Sequence, residues 1–260
     1  SPRFDGVKWG GVIDRPQDLV VAHVSQRNSR DFSWRRTYMQ QPDAFRVPFL
    51  DETSDYQQRE RVVRRPGYTG DINVTEQLPM PGKTDPDEIW REARRRFYEI
   101  EYRPDVFSAI QDGAVRTATR GDLVKGSYDV LTRIMAAGRV QAVRGNVITL
   151  DVMLEMERGQ SYAIRFMRQV GQGDDAITES VVRSVVAAEG ATDSIAVTGD
   201  GPLPVRDDLV MFGVAGQESI DLVVAGTQAG DKMTTVLTML AAAPIIDEKT
   251  DAEVPPAWNG

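Results

Sequence analysis

Along the first hundred residues, apolar positions fall in short clusters cut by turn formers. Val7-Lys-Trp9, Val12-Ile13 and Leu19-Val-Val-Ala-His-Val24 are punctuated by Gly10-Gly11 and Arg15-Pro16, a pattern that predicts short strands bounded by turns. Asp31-Phe-Ser-Trp-Arg35 and Ala44-Phe-Arg-Val-Pro-Phe49 predict a further strand pair. Residues 51–61 are strongly charged and predict a solvated loop or turn. Residues 66–85 carry Pro66-Gly67, Thr69-Gly70, Pro79 and Pro81-Gly82. They predict an extended connection with at most one short strand, around 72–74.

The period then lengthens. Asp85 is a good N-cap, Pro86 suits the first helical position and Glu88 completes an Asp-x-x-Glu capping box. Ile89, Ala93, Phe97 and Ile100 recur so as to share one face, and Pro104 stops the run. A helix over 86–102 follows. From Asp105 onward the period is two. Val106 to Ile110, Val115, Leu123-Val124, Val130-Leu131 with Ile134, Val140, Val143, Val147-Ile148, and Ala163 to Phe166 predict strands. Ile177 to Val186, Ile195 to Val197, Leu209 to Phe212, Leu222 to Val224, and Thr234 to Leu240 continue the series. Short strands with turn signals at roughly ten-residue intervals predict a β-barrel or sandwich. The expected fold class is therefore α+β, mainly β. An α+β domain is expected over 1–104, a β-barrel-like domain over 105–248, and a linker over 249–260. No internal repeat or low-complexity tract interrupts the pattern.

Composition narrows the function classes. A chain of 260 residues that is 41% hydrophobic is long and apolar enough for a real core. Lys and Arg number 31 against 39 Asp and Glu, a net charge of −8 that disfavours tight, non-specific nucleic-acid binding. The chain holds no cysteine, which excludes disulfides, cysteine zinc sites and thiol catalysis. No apolar run approaches the roughly 18 residues of a membrane helix. Ser1-Pro-Arg-Phe-Asp5 is not a signal peptide, and Val254-Pro-Pro-Ala-Trp258 reads as the start of a linker. Together they suggest a fragment of a longer protein.

Candidate chemistry is sparse. Arg120-Gly121-Asp122 is the tripeptide that integrins recognise, yet it reads equally as a tight turn entering a strand. Gly171-Gln-Gly-Asp-Asp175 could offer oxygens to calcium, but it lacks EF-hand spacing and fits a hairpin loop. The pairs Glu155/Glu157, Asp174/Asp175 and Asp207/Asp208 raise a glycosidase reading, which needs two carboxyls about 5 Å apart across a sugar bond. Nothing else in the sequence converges on any of them. His23 is the one histidine, so any histidine-dependent triad has a single possible base. Its setting between Ala22 and Val24 favours a structural role. Arg61, Arg64 and Arg65 with Tyr56 and Tyr68 could meet an acidic or sugar partner, or simply form a solvated loop. The common phosphate-loop, dinucleotide and hydrolase-elbow motifs do not occur.

Three consecutive segments carry a family resemblance. Thr119-Arg-Gly-Asp-Leu-Val124 resembles a proline-glycine-aspartate-valine turn, with Arg120 in place of the proline. Ala137-Gly-Arg-Val140 resembles a glycine-arginine-valine strand, and Val147-Ile-Thr-Leu-Asp151 the threonine-leucine-aspartate strand after it. Gly10-Gly11 with Asp14-Arg15-Pro16, the helix over 86–102 and Gly159-Gln-Ser-Tyr-Ala-Ile-Arg165 extend the pattern from about Gly10 to Asp247, and Val254-Pro-Pro-Ala257 resembles the linker into a following module. In this order they resemble the tail-tip or baseplate-hub protein of long-tailed bacteriophages, of the type of phage lambda's host-specificity protein, in the part before its fibronectin-like modules. The resemblance implies small β-barrel and α+β hub domains in a homotrimer around a central channel. Such a hub caps the tail tube and contacts the distal tail protein, the tape measure protein and the tail fibre. It opens for transient DNA passage without specific nucleic-acid binding. Location at the virion tail tip is implied, with any host-surface receptor met by regions beyond this segment. The resemblance brings no catalytic, cofactor-binding or metal residue. Two other expectations stand beside it: a carbohydrate-binding adhesion module using Trp34, Tyr38, Tyr56 and Tyr68, and a cell-wall or capsule hydrolase using Glu155 or Asp175.

Overall fold

The computed structural model describes residues 19–37, 40–112, 118–129, 135–170 and 177–260. The protein is mainly β. Strands β1 (Val20–Ser25) and β2 (Arg30–Arg36) come first, then β3 (Ala44–Asp51), β4 (Gln57–Arg64), β5 (Thr75–Gln77) and helix α1 (Pro86–Tyr102). They are followed by β6 (Asp105–Asp112), β7 (Leu123–Ser127), β8 (Ala136–Arg144), β9 (Val147–Met156) and β10 (Tyr162–Val170). The remaining elements are β11 (Ile177–Val185), β12 (Gly190–Ala196), β13 (Leu209–Val214), β14 (Ile220–Ala229), β15 (Thr234–Ala241) and helix α2 (Ile245–Ala252). The strands expected at residues 7–13, 115 and 130–134 lie outside the described residues. Among the described residues no helix is long and apolar enough to cross a membrane.

The chain divides into two compact units. One comprises Ser1–Trp34 with Phe107–Ala242, the other Arg35–Val106 with Ala243–Gly260. The crossing at Val106 lies beside the boundary expected near residue 105. The strands before Arg35 group with the later β series, and residues 249–260, expected as a linker, belong to the unit that holds α1.

Unit 1 contains two six-stranded sheets, ordered β1-β7-β14-β15-β6-β2 and β11-β10-β13-β8-β9-β12. In the first, β1 runs parallel to β7, with His23 opposite Lys125. Its core gathers Val24, Phe107, Val124, Leu222, Val224 and Met239, with Phe32 stacked on Tyr128 at 3.7 Å between ring centroids. The second sheet wraps around Ile148, Leu154, Tyr162, Ile164, Phe166, Ile195 and Phe212, all at most 2% exposed. Alternation along its strands places these residues on one face. Its outer strands meet at a single bridge, Val185 to Val197, flanked by hydrogen bonds from Val186 N to Ala196 O and from Thr198 N to Ser184 O. The sheet is therefore curled, and no closed barrel forms among the described residues.

Unit 2 packs α1 on a three-stranded sheet, β4-β3-β5. Ile89, Ala93 and Phe97 on α1 meet Phe45, Val47, Phe49 and Val63, with Phe45 and Phe97 at 4.2 Å between centroids. Asp85 caps the helix by accepting from Asp87 N at 2.8 Å. Glu88, expected to close a capping box onto Asp85, pairs with Lys83 Nζ instead (2.5 Å). Asp85→Ala should lower the stability of unit 2 by about 1 kcal/mol, read as a shift in the urea midpoint.

Two expectations are corrected here. Residues 57–64, within and just after the run expected as a loop, form β4, paired with β3 along its whole length. Only Arg61 and Val63 of this strand are buried, so its core-facing signal is half charged. The short strand expected at 72–74 lies at Thr75–Gln77, held parallel to β3.

Candidate functional site: a buried polar cluster around His23

The one histidine sits in a built polar network. His23 is 5% exposed on β1, and its Nε2 lies 3.0 Å from Ser180 Oγ on β11. Arg165 on β10 donates from Nη1 to the same Oγ at 3.0 Å. It also donates from Nε and Nη2 to Glu218 Oε1 at 2.9 and 2.7 Å. Register explains the meeting of Arg165 and Ser180. Met167 is opposite Ser180 in the β10–β11 ladder, so Arg165, two residues away, shares Ser180's face. Glu218 arrives on the turn after β13. Gly213 permits this, because a Cβ there would lie 2.7 Å from the Glu218 Cα. The cluster thus ties β1 of one sheet to β10 and β11 of the other.

A serine hydroxyl in reach of an imidazole is the first requirement of a nucleophilic hydrolase. The surroundings oppose that use. A working base has a carboxylate on its second nitrogen, stabilising the imidazolium as it forms. His23 Nδ1 has no hydrogen-bond partner among the described residues, and the Glu218 carboxylate is committed to Arg165. Burial, then the positive charges of Arg165 and Lys125, lower the His23 pKa to about 3. Taking the Ser180 proton would cost this ring several kcal/mol more than an ordinary imidazole. Two cations near the ring, with no carboxylate on Nδ1 among the described residues, make the group suited to clamping two sheets and poorly suited to proton transfer.

The other candidates are dispersed. Arg120-Gly121-Asp122 forms a turn into β7, with Gly121 at φ 92° and the Asp122 carboxylate accepting from Thr119 N at 2.8 Å and Thr119 Oγ1 at 3.0 Å. Gly121 N and Asp122 O pair with Val224 O and N, pinning the turn to β14. Glu155 projects from the exposed face of β9, and Glu157 lies exposed just beyond that strand. Asp208 accepts from Val205 N at 2.8 Å and Asp207 adopts φ 73°, so this pair shapes a turn. Residues 171–175, with Asp174 and Asp175, lie outside the described residues, as does Tyr38. Among the described residues no group of three or more histidines and acids is placed to hold a metal ion.

The arginine and tyrosine group of unit 2 is taken apart by the fold. Arg61 is 3% exposed and bonds Asp87 and Pro256 O. Arg64 donates to Gly70 O, and Arg65 covers the Tyr68 ring at 4.9 Å. Tyr56 is exposed, but it precedes β4 whereas Tyr68 follows it, so the two rings stand at opposite ends of that strand. Arg165, Ser180 and Glu218 were not singled out in the sequence. The available signal was an arginine inside the apolar run Ala163-Ile164-Arg165-Phe166, where a buried charge demands a partner. No protein-family model matches this chain, and no curated protein matches it.

Proposed function

We propose that the chain is a structural component of a phage or prophage tail tip, part of a trimeric central hub. In this reading it caps the tail tube, attaches to the distal tail and tape measure proteins, and takes part in host attachment and DNA passage without catalysis of its own. The observation that carries the reading is the order of segments. A helix over Pro86–Tyr102 is followed by the glycine turn into β7, then by β8 holding Ala137-Gly-Arg-Val140, then by β9 holding Val147-Ile-Thr-Leu-Asp151. That is the order in which the tail-tip family resemblance runs. The curled sheet of unit 1 would stand for the barrel-like hub domain. Three chains of net charge −8 would surround the channel with like charge and keep DNA from adhering to its wall.

The alternatives gain less. A sugar-binding face needs its aromatics together, and Tyr56 and Tyr68 are apart. A hydrolase needs an activated group, and the Ser180–His23 pair is biased against activation by Arg165. The test is location. Antibody against the chain, used on particles sedimented after prophage induction, should label one end of tails by immunogold microscopy. Label confined to the soluble cell fraction would overturn the reading.

A further inference from the structure

We propose that unit 2 carries a peptide-recognition cleft, filled here by its own residues 253–258, which accepts the same segment from a second copy of the chain. The inference stands on unit 2 alone and does not depend on the tail-tip reading. The segment Glu253-Val-Pro-Pro-Ala-Trp258 leaves α2 extended, with Glu253 at φ −87° and ψ 142°, and it joins no strand ladder. The Pro255-Pro256 pair favours that extended form.

The cleft supplies a specific partner for each anchor. Asp51 is fully buried, and its Oδ1 accepts from Thr53 N and Thr53 Oγ1. Its Oδ2 accepts from the Trp258 indole Nε1 at 2.8 Å. Burial alone would raise the Asp51 pKa, but bonds from Thr53, Trp258 and Ser54 outweigh it and hold the carboxyl at about 2. The buried Arg61 sends Nη2 to Pro256 O at 2.8 Å and lays its guanidinium over the indole, 5.3 Å from the centroid. The Phe49 ring flanks the indole at 5.7 Å. At the other end, Arg94 and the Tyr98 hydroxyl hold the Glu253 carboxylate, and Arg91 Nη1 reaches Glu253 O at 3.2 Å. Between the anchors Val254, Pro256 and Ala257 are exposed.

Three features make this a site and more than a segment packed on a surface. The ligand is read at spaced positions, an acid and a tryptophan five residues apart, with Pro255 half-buried and Val254, Pro256 and Ala257 exposed between them. Two groups that are buried while the cleft is filled, Asp51 Oδ2 and Arg61 Nη2, receive partners from the segment itself, so emptying the cleft trades these bonds for bonds to water. Every contact named comes from one six-residue stretch, so recognition is independent of the covalent path to it. A second copy offers an identical stretch and makes identical contacts, the condition for segment exchange. The tethered copy wins at low concentration through its high effective concentration.

The test uses the full chain with Trp258→Ala, which empties the indole position, and a fluorescent peptide of residues 250–260. Anisotropy should show saturable binding to this variant. Binding to the unsubstituted chain, whose cleft is filled, should be weaker by at least about tenfold. A peptide carrying alanine at the tryptophan should not bind, a control that needs no further change to the protein. At high concentration the unsubstituted chain should associate, as seen by sedimentation, and excess peptide should disperse the assembly. The Trp258→Ala chain should stay monomeric. Absence of saturable binding, or equal binding of the alanine peptide, overturns the cleft. Peptide binding without peptide-sensitive association confines the segment to its own chain and overturns the exchange.

Discussion

Arg165→Leu should destabilise unit 1 by about 3–5 kcal/mol, the range expected when one partner of a buried ion pair is removed. Glu218 is 2% exposed, and Arg165 supplies both bonds to its Oε1. Without the guanidinium the carboxylate must stay charged in an apolar setting or take up a proton, and either is costly. The same change removes a donor from Ser180. Adding Glu218→Met to Arg165→Leu should recover most of the loss, because a pair removed together leaves no orphaned charge. Urea unfolding of both single variants and the double variant forms a cycle that isolates the coupling. If Arg165→Leu alone costs less than about 1 kcal/mol, the pair behaves like a solvated surface bridge.

The stability of unit 1 should fall as pH drops from about 6.5 toward 3. The sign follows from His23. Its folded pKa is depressed to about 3 while the unfolded chain titrates near 6.5. The unfolded state therefore binds the proton first, so the stabilisation present above 6.5 is lost through this window. Between pH 6.5 and 4.5 the expected loss is about 2–3 kcal/mol. Lys125 and Arg165 both face the ring and oppose its protonation. His23 is the one histidine of the chain, so no second imidazole contributes. In unit 2, Glu92 works in the other direction: burial raises its pKa, and protonation on acidification favours the folded state of that unit. Asp51, held at about 2, loses its contribution only at lower pH. Comparing the chain with His23→Gln, which retains Glu92, isolates the histidine. Urea midpoints of the variant should be nearly flat over this range. An equal slope in both proteins would place the acid sensitivity elsewhere.

Helix α1 was legible because its cap, its first-turn proline and its apolar spacing are all local, and each appears in the structure. The described strands after residue 105 were legible for the same reason, those expected at 115 and 130–134 lying outside the described residues. What stayed hidden is what distant residues supply. Strand β4 looked like a solvated loop because one of its two core-facing positions is Arg61, whose Asp87 and Pro256 partners lie far along the chain. Residues 249–260 looked like a linker because two prolines and scattered polar residues carry no period, and the Asp51 that receives Trp258 is 207 positions away. Helix α2 begins at Ile245 with Pro244 at its N-cap and no side-chain cap, so its start had no signature. The candidate site shows the same limit. His23 was visible as a lone buried histidine, but Ser180 is 157 residues away and no local rule pairs them.

The threading of the two units also governs when each can form on the ribosome. Unit 1 pairs β1 with β7 across a gap of about a hundred residues, and β7 in turn waits for β14, which ends at Ala229. Unit 2 has its helix and sheet early, yet Glu253 and Trp258 reach it last. Neither unit can complete its contacts vectorially, as each is synthesised. The nascent chain must carry β1 and β2 unpaired past the whole of Arg35–Val106 before their neighbours emerge. Such late closure lengthens the time during which strand edges stand open to other nascent chains. Production of this chain should therefore depend on holding chaperones.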